Sequence, residues 1–185
     1  KSSLALSLLT ARGNKKQYRR VFDHIYVIVP TASLHSLKHN PFKKHPEDKM
    51  FHSLSQETLE YILDNIRDNA AEDENSLLFV DDMASDLKRT DTLRLWNHIC
   101  ANKRHYRTSI WMLVQGIRFL PKSFRRLIDY ICLWKFNHTD ENRFINEEFS
   151  PHPRKTMDGV FRYSFQKKHD FLFMDLANQF LGRLE

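Results

Sequence analysis

Three stretches of strand length, IYVIV at 25–29, SLLFV at 76–80 and SIWMLV at 109–114, are apolar at consecutive positions rather than alternate ones. Successive strand residues point to opposite faces of a sheet, so strands of this kind have no face to give to water. They must lie in a sheet covered on both sides. The intervening segments carry the helical spacing that could cover it. Leu4, Leu8 and Leu9 recur at helical intervals before Gly13, a candidate C-cap. Leu59, Ile62, Leu63 and Ile66 form one apolar face after a capping box made by Ser53 and Gln56. A third helix is predicted over 90–103, with Leu93, Trp96, Ile99 and Cys100 inward. DYICLWKF at 129–136 adds another apolar strand, and 50–54 a short one. Strands alternating with helices predict an α/β fold, a three-layer core around a mostly parallel sheet. Residues 1–136 form that core; 137–185 form an extension of the same domain. Within the extension, GVFRYSFQKKHDFLFMDL at 159–176 alternates around a polar QKKHD turn and predicts a hairpin.

A chain of 185 residues with 41% hydrophobic and 28% charged residues is ordinary for a soluble globular domain. No run approaches the roughly 18 apolar residues that span a bilayer, and the N-terminal residues lack the order of a signal peptide. The expectation is a soluble, non-secreted protein without membrane contact. Cys100 and Cys132 have no metal or disulfide framework around them and read as reduced thiols.

The net charge of +6 is unevenly placed. Residues 1–50 carry ten Lys/Arg against three acids, and residues 51–100 carry four against eleven. The basic portion suits a polyanion partner, with Lys15, Lys16, Arg19 and Arg20, together with Lys38, Lys43 and Lys44, as candidate contacts to a phosphate backbone. A solvated basic loop is the competing reading. His35 and His39 are four residues apart but have no helix or third ligand to make a zinc site.

In open parallel sheets, ligands bind beyond the C-terminal ends of strands, and Asp81 and Asp82 follow SLLFV at such an end. Asp81 there can hold Mg²⁺, and Asp82 beside it can orient and deprotonate a water attacking a phosphate. A helix-capping aspartate is the plainer alternative. Lys1 and Ser2 head the first predicted helix, and GK[ST] at a helix N-terminus is the closing half of a phosphate-binding loop. Lys1 would reach the β and γ phosphates and the Ser2 hydroxyl would meet Mg²⁺. N–H groups of the first turn, Ser3 included, would hold oxygens. The glycines of such a loop, and the strand before them, are expected upstream of Lys1. Gln115 ends the next apolar strand, where a side-chain amide can sense a γ-phosphate or place a water. Arg118, Arg125 and Arg126 lie in the connection that follows, from which an arginine can reach the γ-phosphate held by a neighbouring subunit.

Lys1-Ser2, LLFVDD, LVQ at 113–115 and LPKSFRRLIDYICLWKF at 120–136 together resemble the genome-packaging ATPases of poxviruses and other large DNA viruses, a branch of the FtsK-HerA superfamily of P-loop ATPases. The resemblance covers about residues 1–136. It implies a RecA-like P-loop NTPase fold and an oligomeric ring that moves double-stranded DNA into a capsid by hydrolysing ATP with Mg²⁺. The place of action would be the viral assembly site in the host cytoplasm, or the virion. By position, Lys1 and Ser2 match the end of the phosphate loop, Asp81 and Asp82 the acidic pair, Gln115 the strand-end sensor, and Arg125 or Arg126 the trans-acting arginine. An aspartate at 82 stands where many such motors have glutamate, one methylene longer. Two other readings stay open at this stage: a cellular FtsK-HerA type translocase, and a non-hydrolysing nucleic-acid-binding or assembly module.

Overall fold

The computed structural model describes every residue except 1, 16, 32–40, 137, 138 and 185, and the side chains of 15, 41, 43, 139 and 184 are likewise left aside. The chain divides into two compact units, Lys1–Pro121 and Lys122–Glu185.

The first unit is built on a four-stranded parallel sheet, in the order β2 (Met50–Phe51), β1 (His24–Ile28), β3 (Ser76–Asp81), β4 (Thr108–Leu113). The register pairs Val27 with Phe79 and Phe79 with Trp111, so odd-numbered residues of the three long strands share one face. Helix α1 (Ser2–Thr10) covers that face: Ala5 and Leu6 pack in one cluster with Val27, Val29, Leu77 and Phe79. On the opposite face lie Tyr26, Ile28, Leu78 and Val80, all buried. Helix α2 (Gln56–Ala71) covers it, with Asn69 Nδ2 donating to both Tyr26 Oη and Ser76 Oγ. Its buried residues are the four read from the sequence, Leu59, Ile62, Leu63 and Ile66, each contributing roughly 1.5–3 kcal/mol by leaving water. Helix α3 (Thr90–Ala101) packs beside it, with Trp96 and Ile99 among its buried residues. The result is the three-layer α/β core that the doubly apolar strands demanded.

Helix α2 starts two residues later than its capping pattern predicts. Ser55, not Ser53, is the N-cap, its Oγ accepting from Thr58 N–H at 3.1 Å.

The second unit corrects two expectations. The strand β5 (Tyr130–Trp134) is not part of the parallel sheet; it pairs antiparallel with β6 (Phe171–Asp175), which pairs antiparallel with β7 (Phe180–Leu184). The predicted hairpin exists but is shifted along the chain. Residues expected as its first strand lie in helix α6 (Arg154–Ser164), which follows α4 (Lys122–Arg125) and α5 (Thr139–Phe149). Met157, Phe161 and Ser164 are the buried residues of α6, spaced by four and three, and this period prevails over the short alternation in VFRYSF.

Candidate nucleotide-binding site

Alternation along β3 decides what each aspartate can do. Asp81 continues the odd-numbered series of Leu77 and Phe79 and so emerges on the face covered by α1. Helix α1 is anchored on that face by Ala5 and Leu6, which sets its first turn at the C-terminal end of β3. Consequently Ser2 and Asp81, 79 residues apart in sequence, are in direct contact: Ser2 Oγ donates to Asp81 Oδ2 at 2.7 Å. Both residues are half-buried, and Ser3 is exposed. A hydroxyl and a carboxylate this close form a pair of hard oxygen donors that could hold a cation such as Mg²⁺.

Asp82 lies beyond the last strand residue and has a left-handed backbone, φ 59°. That region costs most residues about 1–2 kcal/mol and is best tolerated, after glycine, by Asn and Asp. Its N–H donates to the Leu113 carbonyl at 3.0 Å, tying it to the end of β4. Its carboxylate is exposed and accepts from Gln115 Nε2 at 3.1 Å. The loop that follows is fixed from below by Met83 and Leu87, both buried. It is also fixed from the side by Asp86, whose Oδ2 accepts the Leu54 N–H at 3.0 Å.

Four of the residues selected from the sequence, Ser2, Asp81, Asp82 and Gln115, are therefore one constellation at one end of the sheet. Lys1 and Lys16 lie outside the described residues, as do His35 and His39, and the Lys15 side chain is not described. Arg19 and Arg20 sit in the turn after α1, half-buried and exposed respectively. Arg20 has φ 59°. This turn is pinned by aromatic contacts that the sequence did not reveal: Tyr18 meets the Trp111 ring edge-on at 5.1 Å, and Phe22 does so at 6.1 Å. Trp111 is thus half-buried under a clasp rather than deep in the core.

Within the second unit, Arg125 and Arg126 have different surroundings. Arg125 is 13% exposed, lies 3.7 Å from Glu148 and stacks 4.8 Å above the Phe144 ring. Arg126 is exposed. Both border a cavity of about 500 Å³ that Glu148, His152 and Asp175 also line. Arg118, in the one-turn helix Ile117–Phe119 of the first unit, is exposed. Among the described residues no three His, Cys, Asp or Glu side chains gather as a metal cluster, and no helix is long and apolar enough to cross a membrane.

The model of one protein family, described as poxvirus A32 protein, matches residues 6–155. The chain belongs to the poxvirus A32 protein family. This is the group of packaging ATPases that the sequence motifs resembled. No curated protein sequence is a significant match. Among solved structures, the genome packaging NTPase B204 from Sulfolobus turreted icosahedral virus 2, in complex with AMPPCP, is similar with a TM-score of 0.66 at 14% identity. That match covers 89% of this chain and 82% of that one. B204 from Sulfolobus turreted icosahedral virus, described as a DNA-packaging ATPase, matches with a TM-score of 0.64 at 12% identity, covering 89% and 83%. The complex of the former enzyme with ATP-gammaS matches with a TM-score of 0.64 at 15% identity, covering 89% and 82%. At such identities the likeness establishes the fold alone: this member of the poxvirus A32 family shares the P-loop NTPase fold of B204.

Proposed function

We propose that this chain is the catalytic part of a Mg²⁺-dependent ATPase that drives double-stranded DNA into a viral capsid. The observation that carries the reading is the Ser2–Asp81 hydrogen bond of 2.7 Å, which joins a helix N-terminus to a carboxylate at a strand end. That juxtaposition is what Mg²⁺-bound triphosphate requires and what a plain helix cap at Asp81 would not produce. Family membership and the described ligands of B204, AMPPCP and ATP-gammaS, support nucleotide as the substrate.

In this reading Lys1 and the first-turn N–H groups of Ser2 and Ser3 bind phosphate oxygens, and Ser2 Oγ and Asp81 are the residues that would hold Mg²⁺. A bound Mg²⁺ there would supply neutralisation of phosphate charge. Asp82 accepts a proton from the attacking water, for which its exposed carboxylate is suitably placed, and Gln115 lies beside it. Arg126, exposed, is better placed than Arg125 to reach the nucleotide of a neighbouring subunit in a ring. Lys15, Lys16, Arg19 and Arg20 contact the DNA backbone. A complete phosphate loop also needs a strand and a glycine-rich turn before Lys1. The edge position of β4 in the parallel sheet supports a place for that strand. The ATPase core is then the parallel-sheet unit, residues 1–121, with this upstream element, and residues 122–185, β5 included, are its extension. Capsid proteins are further partners, and assembly takes place at the viral factory or in the virion.

The test is ATP hydrolysis with and without duplex DNA, using the chain with its upstream phosphate loop, beside Asp82→Asn. The reading requires Mg²⁺-dependent turnover that rises with DNA and disappears in the variant. Salt-sensitive DNA binding without any turnover would replace it with the non-hydrolysing module.

A further inference from the structure

We infer that Gln115 acts on the reaction through Asp82, as a positioning residue for that carboxylate, and not by touching the nucleotide itself. The inference rests on the ATPase reading above and deepens it.

Asp82 is held by one structural element at both ends. Its backbone N–H is bonded to the Leu113 carbonyl at 3.0 Å, and its carboxylate to Gln115 Nε2 at 3.1 Å. Leu113 is the last residue of β4, and Gln115 follows two residues later. With φ at 59° and the N–H fixed, the backbone of Asp82 has one position, and only its side-chain torsions remain free. An exposed carboxylate with free torsions samples several rotamers, of which few can face an attacking water. The Gln115 amide removes that freedom. It also loads the carboxylate asymmetrically: Oδ2 accepts the amide N–H, which leaves Oδ1 to receive the water's proton. An Asp here is a methylene shorter than the Glu it replaces in many related motors, and a partner that fixes its direction compensates for the shorter reach.

Chain length makes the arrangement specific. Asn at 115 would retain the amide but fall about 1.5 Å short. Glu would cover the distance but, ionised, present acceptors to an acceptor.

The experiment is steady-state ATP turnover by the full chain carrying its phosphate loop, as wild type, Gln115→Ala, Gln115→Asn, Asp82→Asn and the double variant Asp82→Asn/Gln115→Ala. Affinity for a non-hydrolysable ATP analogue and the thermal midpoint are measured on each. Expected are a kcat lowered by up to about 100-fold in Gln115→Ala and Gln115→Asn, with KM, analogue affinity and thermal midpoint unchanged. Expected too is a double variant within about twofold of Asp82→Asn alone, because the two residues act as one unit. Weaker analogue binding in Gln115→Ala, or losses that multiply in the double variant, would overturn the inference in favour of direct contact with the γ-phosphate. No turnover by the unchanged protein would instead remove the ATPase reading, and this inference with it, so the two failures are distinguishable.

Discussion

Replacing Arg125 and Arg126 one at a time separates a structural arginine from one free to serve a neighbour. Arg125 is 13% exposed, and its partner Glu148 is 25% exposed. At 3.7 Å the pair is beyond hydrogen-bond length, so its worth is Coulombic: about 4 kcal/mol gross at an effective dielectric of 20, falling to about 1 kcal/mol after desolvation and solvent screening. The stack over Phe144 at 4.8 Å adds about 1 kcal/mol. Arg125→Ala should therefore destabilise the protein by about 2 kcal/mol, roughly 4–8 °C in thermal midpoint for a chain of this size. Arg126→Ala removes an exposed side chain and should stay within about 0.5 kcal/mol. The assay is thermal or urea unfolding of both variants beside ATP turnover by the assembled protein. Arg126→Ala should keep its midpoint and lose turnover, and mixing it with wild type should show whether the arginine serves the adjacent subunit. The reasoning is refuted if Arg125→Ala unfolds at the wild-type midpoint, or if the stability loss falls on Arg126→Ala.

Two further perturbations test the packing around the site. Ser55→Ala removes the N-cap of α2, leaving the Thr58 N–H without its acceptor, and should cost about 1 kcal/mol in urea unfolding, whereas Ser53→Ala should cost almost nothing. His45 is held with its Nε2 2.7 Å from the Ile25 carbonyl; burial pushes its pKa below the ordinary 6.5, against the opposing pull of that carbonyl. The neutral ring is the folded form, so the unfolded chain takes up the proton first, and stability falls as pH drops below about 6.5 until the lower folded pKa is passed. His45→Gln keeps an N–H donor without titrating. It should lose less stability than wild type between about pH 7.5 and pH 5, measured by urea midpoints, and an identical pH dependence in the two proteins would contradict the role given to burial.

Much of the first unit was legible because its signals are local and redundant. Consecutive apolar residues in 25–29 and 76–80 leave a strand no solvent face, and the Leu59–Ile66 pattern fixes a helix face without reference to anything else; 109–114, equally apolar, is only half-buried as β4 at the end of the strand order. The second unit was less legible. GVFRYSF supports both an alternating and a helical reading over so short a span, and only the burial of Met157, Phe161 and Ser164 in α6 decides between them. DYICLWKF is equally apolar whether its neighbour runs parallel or antiparallel; its pairing with β6 depends on a partner 40 residues away. The sequence favours Ser53 over Ser55 because Gln56, three positions on, completes a capping box, whereas Ser55 is followed there by Thr58.

The candidate site divides the same way. The sequence by itself selected Ser2, Asp81, Asp82 and Gln115, since each is a polar residue at the end of an apolar element, where a parallel sheet exposes chemistry. Motif order assigned Asp81 to the metal and Asp82 to the water, but not the contacts that fix their directions. The parity of β3 sends Asp81 toward α1, and the left-handed turn at residue 82 carries Asp82 to Gln115. Nor could it separate Arg125 from Arg126, adjacent and identical in type, because that difference lies in Glu148 and Phe144 on the separate helix α5. Hydrophobic pattern is a property of consecutive residues and survives in one dimension; the direction of a side chain and the identity of its partner arise only when distant segments close on one another.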